Sequence, residues 1–283
     1  MKRRENLTLL NAQSESGLLF SVFIFLFLTF TALLLIIVSL IKLPSSLIVY
    51  LSPLRSALAL VITTVIEKKC FSKTKTEKAV NLFRPVELLM TVILVLGMYL
   101  GFSKVHEALI NWFSSLGVNT NANVVIASVT DYILCLITVA ILPALFEELF
   151  FRKILISRIS ENAVKASIFS GLCFALFHLS ITQFLYQFIY GFFLSLLAVK
   201  TKSVVYSVIA HFLNNFIILS VQFFKINLSV DSVFITIIGI VFLIVFALWV
   251  FPKERSQKQK FYLTYAFASI GIIACIIMAI SSL

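Results

Sequence analysis

The chain has 283 residues, of which 61% are hydrophobic and only 12% are charged. Together with a mean hydropathy of +1.08, this composition excludes an ordinary soluble domain and indicates an all-α polytopic membrane protein. The net charge of +11 does not indicate a nucleic-acid partner, because the basic residues lie between apolar runs in the pattern of a membrane topology. The expected surroundings are a lipid bilayer.

Apolar runs long enough to cross a bilayer, about 20 residues each, recur along the whole chain. They predict a helical bundle of about eight or nine transmembrane helices. The first run, Gly17 to Ile41, is too long for the core of a signal peptide and is expected to be retained. The nine runs have approximate centres at Phe30, Ala57, Val95, Ile137, Cys173, Ile189, Leu213, Val241 and Ile273.

The charged connectors predict the orientation of the bundle. The connectors at 67–78, 152–165, 200–202 and 253–260 are basic, whereas those between the other runs are poor in Lys and Arg. Because basic connectors stay in the cytoplasm, the sequence predicts a multi-pass protein of the cell membrane with a cytoplasmic N-terminus.

Three stretches leave alternatives open. The second run contains Pro53 and Arg55, so its helix is expected to start late, to kink or to lie partly along the interface. Residues 103–123, which include His106, are compatible with a short interfacial helix. Residues 179–183 leave room only for a tight or buried turn.

The fourth run carries two glutamates and an arginine in an apolar context, in the stretch 143–152. An ionisable side chain inside a membrane span is costly and therefore indicates a functional site. Glu148 and Arg152 have the i, i+4 spacing of a helical ion pair with the acid N-terminal. Glu147 lies about 100° away on the helix, so its carboxylate is expected to face another group. The fourth helix is also expected to continue at least to Leu155, which brings Glu147 closer to the next run.

Two histidines lie in later apolar runs. His178 follows Phe174 by four residues, and Asn215 follows His211 by four. Singly, each side chain is compatible with a hydrogen-bonded interior residue. Together, a carboxylate and an imidazole can activate a water, and a histidine and an asparagine one turn apart can donate to an oxyanion.

These motifs, Glu-Glu-x-x-x-Arg, Phe-x-x-x-His and His-x-x-x-Asn in this order, resemble the CPBP family of CAAX proteases and bacteriocin-processing enzymes, also called the Abi family. The resemblance covers about Tyr132–Phe224. It suggests three parts: N-terminal transmembrane helices (1–131), a four-helix catalytic core (132–224) and C-terminal transmembrane helices (225–283).

The resemblance implies an intramembrane endopeptidase that acts on a membrane-associated peptide or protein, such as a lipidated or hydrophobic tail. Four residues would carry the catalysis: Glu147 with His178 would activate the water, and His211 with Asn215 would stabilise the oxyanion. Asn214, at i+3, remains an alternative to Asn215. The supporting residues would be Glu148, Arg152 and Phe174.

No cofactor is expected to be required. The alternative is zinc held by Glu147, His178 and His211, although the sequence has no HExxH motif. Two other functions remain open: a non-catalytic membrane scaffold or bacteriocin-immunity protein, and a proton-coupled transporter. The transporter is disfavoured, because the sequence shows no paired repeats.

Overall fold

The chain is described here from a computed structural model, which covers residues 2–42, 46–71, 84–118, 126–159, 162–226, 233–252 and 262–281. Throughout these ranges the regular structure is helical, without a strand. In the same ranges nine helices lie at the nine predicted positions, which confirms the all-α fold. They are α1 (Lys2–Ile41), α2 (Ser46–Cys70), α3 (Pro85–Ser115), α4 (Val129–Arg158), α5 (Ala163–Phe177), α6 (Ile181–Thr201), α7 (Val204–Phe223), α8 (Val233–Val250) and α9 (Tyr262–Ser281).

Six of the described helices are long and apolar enough to cross a membrane, namely α1 from Ser14, α3, α4, α6, α7 and α8. Helix α5 is apolar but has only 15 residues. Large apolar side chains cover the outside of the bundle, such as Leu248, which is 78% exposed. In water this surface would be unfavourable, whereas lipid solvates it. The chain is therefore a multi-pass membrane protein.

The connectors that predict the orientation lie largely outside the described residues. This applies to 72–78 and 253–260, the two lysine-rich segments, and to 43–45, 119–123 and 227–231 among the others. The cytoplasmic position of the N-terminus stays a prediction.

Two of the open stretches are more regular than expected. Helix α2 begins at Ser46 and contains Pro53, so the expectation of a late start is wrong; neighbouring helices make proline tolerable inside a membrane helix. Residues 103–115 continue α3, so the expectation of a separate short helix there is also wrong. The tight turn between α5 and α6 is confirmed, with Leu179 at φ 51°.

Three helix pairs pack closely at glycines, which allow two backbones to approach. Helix α5 meets α6 at Gly171 and Gly191, where a Cβ added to Gly171 would lie 2.8 Å from the backbone N of Phe192. Helices α1 and α9 approach at Gly271, and α3 and α8 approach at Gly101 and Gly239. At these positions a glycine is needed for close helix packing.

Helix α4 lies between two hydrophobic clusters. One cluster joins α4 to α1, α2, α5 and α9, and its centre is the stacked pair Phe23 and Phe150, with ring centroids 3.8 Å apart. The other joins α3, α6, α7 and α8. At its C-terminal end, α4 is also tied to α1 and α2, because Arg158 pairs with Glu15 and Glu67. These contacts fix α4 from both sides.

We expect Gly239→Ala to destabilise the protein by about 1–3 kcal/mol, the usual effect of overpacking. The added Cβ would lie 2.2 Å from the backbone N of Gly101, so α3 and α8 must move apart. Thermal unfolding of the detergent-solubilised protein measures the effect. Gly97→Ala is the control: two of the three nearest atoms there belong to the side chain of Leu243, which can move. Equal losses for the two variants would contradict the prediction.

Candidate active site

The backbone of α4 is widened on both sides of the two glutamates. Residues Leu136–Ile141 and Leu149–Leu155 are π-helical, and α-helical Leu142–Glu148 lies between them. Pro143 favours this irregularity, because proline has no N–H to give to the carbonyl four residues earlier. The helix nevertheless continues past Leu155 to Arg158, which confirms the predicted continuation.

Side chains from other helices bond to carbonyls in this irregular helix. The Nδ2 of Asn215 on α7 donates to the carbonyl of Val139, four residues before Pro143, at 3.0 Å. The hydroxyl of Ser170 on α5 donates to the carbonyl of Phe151 at 3.2 Å. Such donors make an irregular helix tolerable inside a membrane. The neighbouring helices thus hold the shape of α4 around its glutamates.

Glu148 is fully buried and lies between a cation and a histidine. Its Oε2 is 3.0 Å from Nε of Arg152, and its Oε1 is 2.9 Å from Nδ1 of His211. The predicted ion pair is confirmed. Arg152 is held further by its bond to the carbonyl of Gly191 at 3.1 Å and by the ring of Phe174, whose centroid is 4.5 Å from its Cζ. Phe174 thus contacts the cation that pairs with Glu148; its supporting role stays a prediction.

His211 contacts both glutamates, which the sequence did not predict. The Glu148 carboxylate accepts a hydrogen bond from Nδ1–H of His211, so Nε2 is the ring nitrogen that can interact with another group. This Nε2 lies 3.9 Å from Oε2 of Glu147, too far for a direct hydrogen bond but a distance that a water can bridge. Oε2 of Glu147 is buried and has no hydrogen-bond partner within the described part of the chain.

Glu147 and His178 line one cavity of about 180 Å³ between α1, α2, α4 and α5. The cavity far exceeds the 10–15 Å³ or so that one water needs. The Nδ1 of His178 donates to the carbonyl of Phe174 at 2.8 Å, which leaves Nε2 of a neutral ring as an acceptor. The structure therefore brings the two predicted water-activating residues to the same space.

The two asparagines differ in what binds them. Oδ1 of Asn214 accepts from the hydroxyl of Tyr186 at 2.6 Å, and its Nδ2 donates to Oδ1 of Asn215 at 3.2 Å. Asn215 uses one N–H of its Nδ2 on Val139, and an amide nitrogen carries a second. Asn214 thus orients Asn215. Each Nδ2 keeps a second N–H, so the choice of oxyanion donor between the two stays open.

Sequence reasoning missed two tyrosines of α6. Tyr186 orients the asparagines, and the ring of Tyr190 lies 6.4 Å from that of His211, with its hydroxyl buried. Their i, i+4 spacing in an apolar run was the available indication. Arg55, whose place the sequence left open, lines the cavity beside Glu147 and His178.

The side chains suggested for zinc do not converge on one point. No group of three or more His, Cys, Asp or Glu side chains in the described ranges is placed to hold a metal ion. Nδ1 of His178 and Nδ1 of His211 each donate a hydrogen bond to an oxygen. Metal-bound histidines often do the same with the nitrogen that does not bind the metal. Because no three such side chains converge in the described ranges, the arrangement there does not fit a zinc site.

Residues 129–217 match the family model described as type II CAAX prenyl endopeptidase Rce1-like. The match covers roughly a third of the chain and contains Glu147, His178, His211 and Asn215. The similarity to the CAAX protease family, inferred from the motifs, is confirmed. No curated protein and no solved structure to which the chain was compared matches it. The chain is therefore a multi-pass membrane protein in which residues 129–217 are similar to CAAX prenyl endopeptidases.

Proposed function

We propose that the protein is an intramembrane endopeptidase that hydrolyses a peptide bond in a membrane-associated peptide or protein, such as a lipidated or hydrophobic tail. One observation carries the proposal: Glu147 is buried, keeps an oxygen without a hydrogen-bond partner in the described chain, and shares a cavity with His178. The proposed catalytic core spans 132–224, in a cell-membrane protein whose N-terminus is cytoplasmic.

In the proposed mechanism, Glu147 and Nε2 of His178 hold one water. As the water oxygen attacks the carbonyl carbon of the scissile bond, its proton passes to Glu147. The carbonyl oxygen becomes an oxyanion, which the second N–H of Asn215 and a protonated Nε2 of His211 stabilise. When the C–N bond breaks, Glu147 returns the proton to the leaving amine.

Glu148 and Arg152 act through His211 in this proposal. The buried ion pair keeps a carboxylate at Nδ1 of His211, which fixes the orientation of the ring. No step of this proposal passes through a metal.

Cleavage of a panel of membrane-associated peptides by the purified, detergent-solubilised protein tests the proposal. We expect cleavage by the wild type and a loss of roughly 100-fold or more in His178→Ala. Ser180→Ala, two residues away, is the control and should keep the wild-type rate. A strong chelator should change nothing. Loss of activity with the chelator, restored by zinc, would establish a metal-dependent mechanism instead.

The non-catalytic scaffold would be favoured if no peptide is cleaved and if Glu147→Ala and His178→Ala keep normal cellular function.

A further inference from the structure

Arg55 brings a cation to the wall of the cavity from outside the matched region. It lies on α2, well before residues 129–217. Its Cζ lies 5.1 Å from the ring centroid of Phe27, and its Nη1 donates to Oγ1 of Thr31 at 3.3 Å. Both contacts come from α1, so the first helix positions the guanidinium. The cavity is then bounded by Arg55 on α2 and by Glu147 and His178 on α4 and α5.

A charged side chain within a membrane helix is costly, and such residues generally line a water-filled cavity or a substrate path. Arg55 lies half-buried in an apolar helix, next to Ser56, which also lines the cavity. The proposed mechanism gives neither residue a task. A guanidinium has five N–H donors in a planar fork that matches a carboxylate.

We propose that Arg55 binds a carboxylate of the substrate and thereby determines where the peptide is cut. The inference rests on the proposed function, because it places the peptide in the cavity of Glu147 and His178. A carboxylate held by α2 fixes a peptide bond further along the substrate against α4 and α5. The carboxylate belongs either to the C-terminus of the substrate or to an acidic side chain near the cut.

Binding can be measured without turnover in the full-length Glu147→Gln protein in detergent. The probes are three versions of one hydrophobic peptide: a free C-terminal acid, a C-terminal amide, and an amide with a glutamate near the end. We expect the acid to bind about 10- to 100-fold more tightly than the plain amide, the range of a charge-assisted hydrogen bond. If the amide with a glutamate binds as tightly as the free acid, Arg55 binds an acidic side chain of the substrate. If it binds as weakly as the plain amide, Arg55 binds the C-terminal carboxylate.

The variant Arg55→Gln, added to Glu147→Gln, should reduce this preference to about twofold or less, and Arg55→Lys should keep part of it. Arg84→Gln is the matched control, because Arg84 pairs with Glu87 on the surface; it should keep the full preference. In proteins that retain Glu147, the amide should raise KM and leave kcat nearly unchanged.

Equal binding of all three peptides would overturn the proposal, and so would an undiminished preference in Arg55→Gln. The peptide comparison uses unchanged Arg55, so it stands even if the variant fails to fold. Binding is measured here without cleavage. A failure to hydrolyse any peptide would therefore count against the proposed function, whereas the peptide affinities alone decide the role of Arg55.

Discussion

Glu147→Gln is expected to lower the rate of peptide hydrolysis by about 100- to 10,000-fold, the range for loss of a general base. Glutamine has the size of glutamate but cannot take the proton of the attacking water. The folded state should remain intact, since Oε2 of Glu147 has no hydrogen-bond partner among the described residues to lose and a buried charge is removed. Hydrolysis rates and thermal unfolding of the same preparations measure the two effects.

Glu107→Gln is the matched control for this substitution. Glu107 is exposed and pairs with Lys104 on α3, so the variant should keep both rate and stability. Wild-type turnover by Glu147→Gln, with a normal unfolding transition, would remove Glu147 from the mechanism.

The second large effect is expected from the buried pair of Glu148 and Arg152. Removing one partner leaves an uncompensated charge, so Glu148→Leu and Arg152→Met should each destabilise the protein by about 3–5 kcal/mol. The double variant should recover most of that stability, because an apolar pair needs no charge compensation. It should remain inactive, since Nδ1 of His211 loses its acceptor.

A double-mutant cycle on unfolding free energies measures the coupling, with hydrolysis as the second readout. The surface pair Arg84 and Glu87, where the arginine side chain is 47% exposed, gives the matched cycle, and its coupling should be about 1 kcal/mol or less. Activity in the stable double variant would show that the ion pair does not position His211 for the reaction.

Much of the fold could be predicted because hydrophobic runs define membrane helices directly. All nine described helices lie at predicted positions, and the pair of Glu148 with Arg152 follows from helical spacing within one element. The motifs in chain order were specific enough to suggest the family that residues 129–217 match.

Contacts between helices could not be predicted in the same way. The i, i+4 spacing of His211 and Asn215 predicts that both lie on one face of α7. It does not predict that His211 lies next to both glutamates of α4. The bond from Asn215 to Val139 depends on the widened turn before Pro143, which has no periodic pattern of its own. Arg55 was recognisable as an unusual charge, yet only packing places it at the cavity.

The donors to the carbonyls of α4 have a consequence for the order of assembly. Ser170 and Asn215 follow α4 in the chain, so during synthesis α4 is made before both of them. Until α5 and α7 are in place, the carbonyls of Val139 and Phe151 lack these donors, and an unsatisfied carbonyl in lipid is costly. The geometry around Glu147 is thus completed only when the ribosome has passed Asn215, and a nascent chain that stops earlier does not contain it.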